Sequence, residues 1–247
     1  MLNFLKNHPF AVEAFFESSL VLTFAVEKET IQGLIPECLE PDSFKDKWAF
    51  VAVAMVQTRN LRPKGFPEIL GNDFFLAGYR VFVKYTTSQG KRLRGLYILK
   101  SQTDKKKMEF MGNIFTHYNY STTDINYRTG NNITEITSHQ SGLKIIADTT
   151  GGTTIPLPTD SPFSDWKEAR RFAGPLPFTF TFNREKSQVL IIEGVRENWN
   201  PEPVKIKEYQ IDLLKKLIPG KPVLANAFII RKIPYYWKKG KTDKWKP

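Results

Sequence analysis

Between Phe74 and Tyr120 the chain alternates, turns, alternates again and then changes period, a succession that leaves it little choice but a sheet with a helix laid across it. Tyr79, Val81 and Val83 alternate with Arg80, Phe82 and Lys84, the period of a strand with two distinct faces. Arg80 therefore shares a face with Phe82. Ser88-Gln89-Gly90-Lys91 is the small, polar, glycine-bearing link of a hairpin, and Leu93 to Leu99 resumes β-branched and aromatic residues, so the two strands are expected to pair. Behind Asp104, a suitable N-cap, Met108, Met111 and Phe115 recur at helical spacing and predict one short helix over Lys105 to Phe115. His117, Tyr118, Asn119 and Tyr120 then lead into a third strand. If the sheet closes, a histidine and aromatic hydroxyls come to lie beside the Arg80 strand and line a pocket.

The rest of the chain supplies more strand than helix. Glu13 to Val26 reads as a long strand with Phe15, Leu20, Leu22 and Phe24 as core positions, followed by a short helix over Lys28 to Leu34 that Pro36 stops. Trp48 to Thr58 is a second strong strand with Arg59 at its end. Asn60 to Asp73 contains Pro63, Gly65, Pro67 and Gly71 and reads as a loop of the kind that rims pockets. Asp124 to Arg128 and Glu135 to Ile146 flank the hairpin signal Thr129-Gly130-Asn131-Asn132, with His139 inside the second arm. Thr149 to Thr154 is a polar turn, and neither it nor Pro219-Gly220-Lys221-Pro222 satisfies a phosphate-loop pattern. A helix over Asp160 to Phe172, strands over Phe178 to Phe182, Val189 to Val195 and Val204 to Tyr209, a helix over Gln210 to Leu217 and a strand over Val223 to Ile230 complete the pattern. Many strands at hairpin spacing with few helices predict a mainly β fold, a curved antiparallel sheet closed into a barrel or cone.

At 247 residues, 41% of them apolar, and with no Pro/Gly/Ser linker, the chain reads as one domain over 1–247. A lone cysteine, Cys38, excludes an intrachain disulfide or a multi-cysteine metal site and reads as an unreactive thiol. The three histidines, His8, His117 and His139, do not stand at metal-ligand spacing, so neither a metal nor a cofactor is expected. Glu13 and Glu17 interrupt the first apolar run, and no run is long enough to span a membrane, which points to a cytoplasmic protein with no membrane partner. The net charge is +11, and residues 231–247 hold seven bases against one acid, Asp243. Tyr235, Tyr236, Trp237 and Trp245 interleave with those bases, so this basic aromatic tail is a candidate for binding nucleic acid or another polyanion. No nucleic-acid module accompanies it, and the more economical reading packs Pro234 to Trp237 on the sheet and leaves the lysines solvated.

Several segments together look familiar: Phe75 to Val83 with Arg80, Met111 to Tyr120, Leu34-Ile35-Pro36 before Leu39, Trp48-Ala49-Phe50-Val51, Trp166 to Pro175, and Ala225-Asn226-Ala227-Phe228 with Pro234-Tyr235-Tyr236-Trp237. In these the chain resembles the acetoacetate decarboxylase-like superfamily, and within it the uncharacterised YqjF-like branch. The resemblance implies a double-layered cone whose interior takes a small organic acid or keto compound, and assembly into homo-oligomers. Decarboxylases of that superfamily carry, after the short helix, a lysine that forms a Schiff base with the substrate. Alignment through Gly112 to Tyr118 places Tyr118 at that position, where a phenol cannot form an imine, and Leu76 and Gly78 stand where an acidic residue is expected. Lys105, Lys106 and Lys107 read as a solvated helix face rather than a substitute.

Fold resemblance does not carry the reaction with it, so any activity is expected to be lyase-like or related chemistry on a small carboxylate or keto substrate, without the lysine. Arg80, Tyr120 and Arg59 are the candidates for binding the ligand. His117 and Tyr118 are the candidates for proton transfer or hydrogen bonding. The alternatives are an Arg80 salt bridge to a carboxylate such as Glu17, a His117 that is merely hydrogen-bonded, and a scaffold whose interior is filled by Phe and Tyr.

Overall fold

Period-two alternation yields long, paired strands across the whole chain. The computed structural model describes residues 5–150, 155–174, 176–197 and 199–246; Gly151 to Thr154 of the polar turn, and Pro175, lie outside the described residues. In chain order the first half forms β1 (Val12–Glu27), α1 (Lys28–Gln32), β2 (Glu40–Pro41), β3 (Trp48–Pro63), β4 (Asn72–Thr86), β5 (Arg92–Thr103) and α2 (Lys106–Phe115). Four short strands follow, β6 (Tyr120–Thr122), β7 (Asn126–Gly130), β8 (Ile133–Ser138) and β9 (Leu143–Asp148). The last part forms α3 (Trp166–Phe172), β10 (Phe178–Asn183), β11 (Gln188–Arg196), β12 (Glu202–Pro203), β13 (Lys205–Ile211), α4 (Asp212–Leu217), β14 (Val223–Trp237) and β15 (Lys241–Lys244).

The main sheet runs β14-β1-β3-β4-β5-β10-β11, and β11 returns to pair with β14, so these seven strands close a ring. The closing seam joins Gly194, Val195 and Arg196 to Trp237, Tyr236 and Tyr235. A second sheet, β13-β9-β8-β7, packs on the outer face of the ring. Alternation sorts the strands between two cores. Leu20, Leu22 and Phe24 of β1, Val51, Val53 and Met55 of β3 and Tyr79, Val81 and Val83 of β4 meet Ile136 and Ile145 of the second sheet. Val21, Phe50, Ala52, Val56, Phe82 and Ile230 face the ring interior, where α3 contributes Ala169. The expected mainly β fold with a curved, double-layered sheet is what the chain forms.

The hairpin between β4 and β5 forms as expected, with Thr86 opposite Arg92 and Gly90 at φ +79° in its turn. Between β7 and β8 the turn residues Asn131 and Asn132 both have positive φ, the backbone a two-residue hairpin loop requires. Other boundaries differ. β3 and β4 extend into the expected loop, leaving Lys64 to Gly71, because Pro63 falls at the strand's last position, where a missing N–H costs least. The arm expected over Glu135 to Ile146 is two strands, β8 and β9, reversed at His139 to Gly142. Asp104 does not cap α2: its carboxylate accepts from the Phe75 backbone N–H instead, and Lys105 occupies the cap position without a side-chain bond. His117 to Asn119 do lead into a strand, β6, which begins at Tyr120 and runs parallel to β5.

The basic aromatic segment is folded into the ring. β14 carries Tyr235 and Trp237, β15 pairs with β11, and Trp245 meets Phe182 edge-on with ring centroids 5.4 Å apart. Cys38 is buried, and burial pushes its thiol up to about 12, as suits an unreactive position. No helix among the described residues is long and apolar enough to cross a membrane.

Candidate functional site

A cavity of about 320 Å³ opens in the ring interior. Its walls come from the inward faces of β1, β3, β4, β5 and β14, and α2 covers it with Met108, Met111 and Phe115, the helical stripe seen in the sequence. Gly112 lets this helix sit close to the next strand, since a Cβ there would run into the Tyr120 ring. The end of β3 and the segment after it contribute too, with Leu61 and Arg62 from the strand and Leu70 beyond it. The interior is therefore not filled by aromatic side chains.

Arg80 projects into this cavity from β4. The guanidinium lies over Gly78, where an added Cβ would come within 3.0 Å of Nε and 3.2 Å of Nη2. Its Nε is buried without a hydrogen-bond partner, and among the described residues it forms no ion pair with Glu17 or any other carboxylate. Burial pulls its pKa down, and the phenols of Tyr235, Tyr120 and Tyr118 stand around it. An arginine does not escape such a site by losing its proton. It needs an anion.

Tyr118 and Tyr120 both line the cavity. Burial raises both phenols, Tyr120 to about 12, so each remains protonated and can donate a hydrogen bond at neutral pH. His117 is absent from the cavity lining; burial and the nearby Lys6 lower its pKa, leaving a neutral imidazole beside the site. Arg59 stands outside, bonded at the surface to Asp73 at 2.7 Å. The structure thus brings Arg80, Tyr118 and Tyr120 together and holds Arg59 and His117 apart from them.

Three lining residues go beyond the sequence reading. Arg196, at the end of β11, has its guanidinium 4.3 Å from the Trp199 ring and 5.6 Å from the Tyr235 ring; burial lowers its pKa and the Arg80 charge lowers it further. Arg62 also lines the cavity but is satisfied by Glu13 at 3.0 Å and by the carbonyl of Phe66 at 2.9 Å. His8 is buried with Nδ1 unpartnered, and burial lowers its pKa. Among the described residues no lysine, aspartate or glutamate lines the cavity. Its charge is therefore set by arginine alone.

The fold is shared with solved structures. Acetoacetate decarboxylase from Legionella pneumophila superposes with a TM-score of 0.60 at 13% identity, over 94% of this chain and 86% of that one. The enduracididine biosynthesis enzyme MppR, solved with the condensation product of pyruvate and imidazole 4-carboxaldehyde, gives 0.57 at 10% identity over 95% and 89%. An acetoacetate decarboxylase-like enzyme from Sphingomonas wittichii RW1 gives 0.51 at 11% identity over 95% and 91%. No curated protein matches this chain. With the ring fold in common and residues 14–241 matched by the family model, the chain belongs to DUF2071, a family described as an uncharacterized conserved protein (COG2071).

Proposed function

We propose that this protein binds a small organic acid in the ring interior, with the carboxylate paired to Arg80 and hydrogen-bonded by Tyr118 and Tyr120. The observation that carries this reading is the buried Arg80 with its orphaned Nε, in a cavity with no carboxylate among its described lining residues. A buried, unpaired charge costs several kcal/mol, about 3–5 when its partner is lost, and a ligand anion removes that cost. Arg196 adds a second positive charge nearby, and MppR, a protein of the same fold, holds a pyruvate-derived compound. Without a lining lysine the ligand is held non-covalently, so Schiff-base decarboxylation is not the activity we assign.

The test is thermal unfolding of wild type and Arg80→Ala with a panel of oxo acids and other carboxylates, at low and moderate salt. A ligand of the native state raises the midpoint by linkage, about 2.7 kcal/mol at a hundredfold excess over Kd. Stabilisation of the wild type alone, little affected by salt, is the expected result. Equal stabilisation of the variant would remove Arg80 from the site. A short oligonucleotide serves as control, and a midpoint shift confined to it and abolished by salt would move the binding function to the basic β14–β15 segment.

A further inference from the structure

The cavity is larger and more apolar than a three- or four-carbon acid needs. At about 30 Å³ for each water-sized group its 320 Å³ holds roughly ten such groups, about twice what a three-carbon oxo acid occupies. Charge and apolar surface are also separated along it. On β4, Arg80 lies over Gly78, and the next residues on that face toward the strand start are Leu76 and Phe74, about 13 Å of strand at roughly 3.3 Å per residue. Val56 on β3 stands opposite Leu76, and α2 roofs the same space with Met108, Met111 and Phe115. At the outer end, Phe10 and Leu70 line the cavity and are exposed, beside Arg62, whose charge is taken up by Glu13 at 3.0 Å.

We infer that the ligand is an amphiphilic carboxylic acid of about ten to twelve heavy atoms in all, its head held at Arg80 and its unbranched or aryl tail running past Leu76 and Phe74 beneath α2. This rests on the reading of Arg80 as the carboxylate site and adds the class of acid. Leu76, Phe74, Val56 and the α2 stripe offer a ligand no hydrogen bond, and Asn72 and Arg62 at that end are already bonded within the protein, so the stretch favours a tail that asks for none. A short oxo acid would leave that wall facing trapped water.

The experiment is isothermal titration of straight-chain acids from acetate to dodecanoate, with pyruvate and uncharged decanol for comparison, into wild type, Arg80→Met and Met111→Trp, all below micellar concentrations. Affinity is expected to rise about fourfold per methylene and to level off near about ten carbons. Arg80→Met should weaken decanoate by about tenfold or more and leave decanol unchanged. Met111→Trp, which narrows the tail space from a half-buried helix position, should move the plateau to acids about two carbons shorter while Arg80 stays in place. If acetate and pyruvate bind as tightly as decanoate and depend on Arg80, the tail assignment falls and the organic-acid pocket stands. If decanol binds wild type, or decanoate binds Arg80→Met, as tightly as decanoate binds wild type, or if no acid binds, the head assignment falls and both readings go with it.

Discussion

At the residue scale the unpaired charge of Arg80 trades stability for binding. Arg80→Met keeps the length of the side chain and removes a buried cation with an unpartnered Nε and no carboxylate partner among the described residues, so the ligand-free variant should be more stable than wild type by about 1 kcal/mol or more, read from urea unfolding. A loss of several kcal/mol instead would mean that the guanidinium is paired within the protein. The surrounding phenols give a pH signature. Tyr118 and Tyr120 are raised in the folded protein above the unfolded value of about 10, so their contribution is complete below about pH 10 and is lost as the pH climbs, through about 12 for Tyr120 and higher still for Tyr118. Tyr118→Phe should flatten part of that alkaline decline in the urea midpoint, and an unchanged slope would show that this phenol ionises freely. Arg80 was legible in the sequence because a charge on the inner face of an alternating strand has to meet an anion. Arg196 was not, because the strand was expected to end at Val195, and an arginine at a strand end reads as solvated until Tyr235, far along the chain, pairs opposite it.

At the element scale, what local pattern can specify was readable and what long-range pairing decides was not. The strand around Arg80, the hairpin after it and the methionine stripe of α2 follow from spacing within a dozen or so residues. The parallel contact of β10 with β5, through Phe178 to Phe180 against Gly95 to Tyr97, has no local signal at all. The reversal inside Glu135 to Ile146 was hidden for a related reason. Its turn is organised from outside, by Asp124, whose carboxylate accepts from Ser138 Oγ, from the His139 N–H at 3.2 Å and from the Gln140 N–H at 3.0 Å. The Ser138 hydrogen bond leads in holding Asp124 down at about 2, so its contribution is present above about pH 4 and is lost as the pH falls through about 2. Asp124→Asn should remove this part of the acid response and speed amide exchange along β8 and β9, leaving β4 and β5 protected. Uniform exchange across both sheets would show instead that the second sheet does not open by itself.

At the scale of the whole molecule, the chain end completes the ring and holds it shut. The net charge suggests a free basic tail, yet Arg231 pairs with Glu202 at 2.6 Å and Lys238 with Glu193 at 2.8 Å, while Tyr235 and Trp237 belong to the cavity wall. The lone acid of the segment makes the clearest long-range tie. Asp243 on β15 accepts from the Tyr85 hydroxyl at 2.6 Å and the Ser88 N–H at 2.8 Å, fixing the last strand to the β4–β5 hairpin. Tyr85 is 1% exposed, so Asp243→Ala leaves a buried hydroxyl without its acceptor and should cost about 1–3 kcal/mol in urea unfolding. Tyr85→Phe should recover part of that loss in the double variant, because the stranded hydroxyl is then gone. A solvated tail predicts the opposite pattern: Asp243→Ala would leave stability untouched and, by removing the only acid among seven bases, tighten oligonucleotide binding at low salt. Measured side by side, the unfolding midpoint and the oligonucleotide titration decide whether the last strand is a clasp on the ring or an arm for a polyanion.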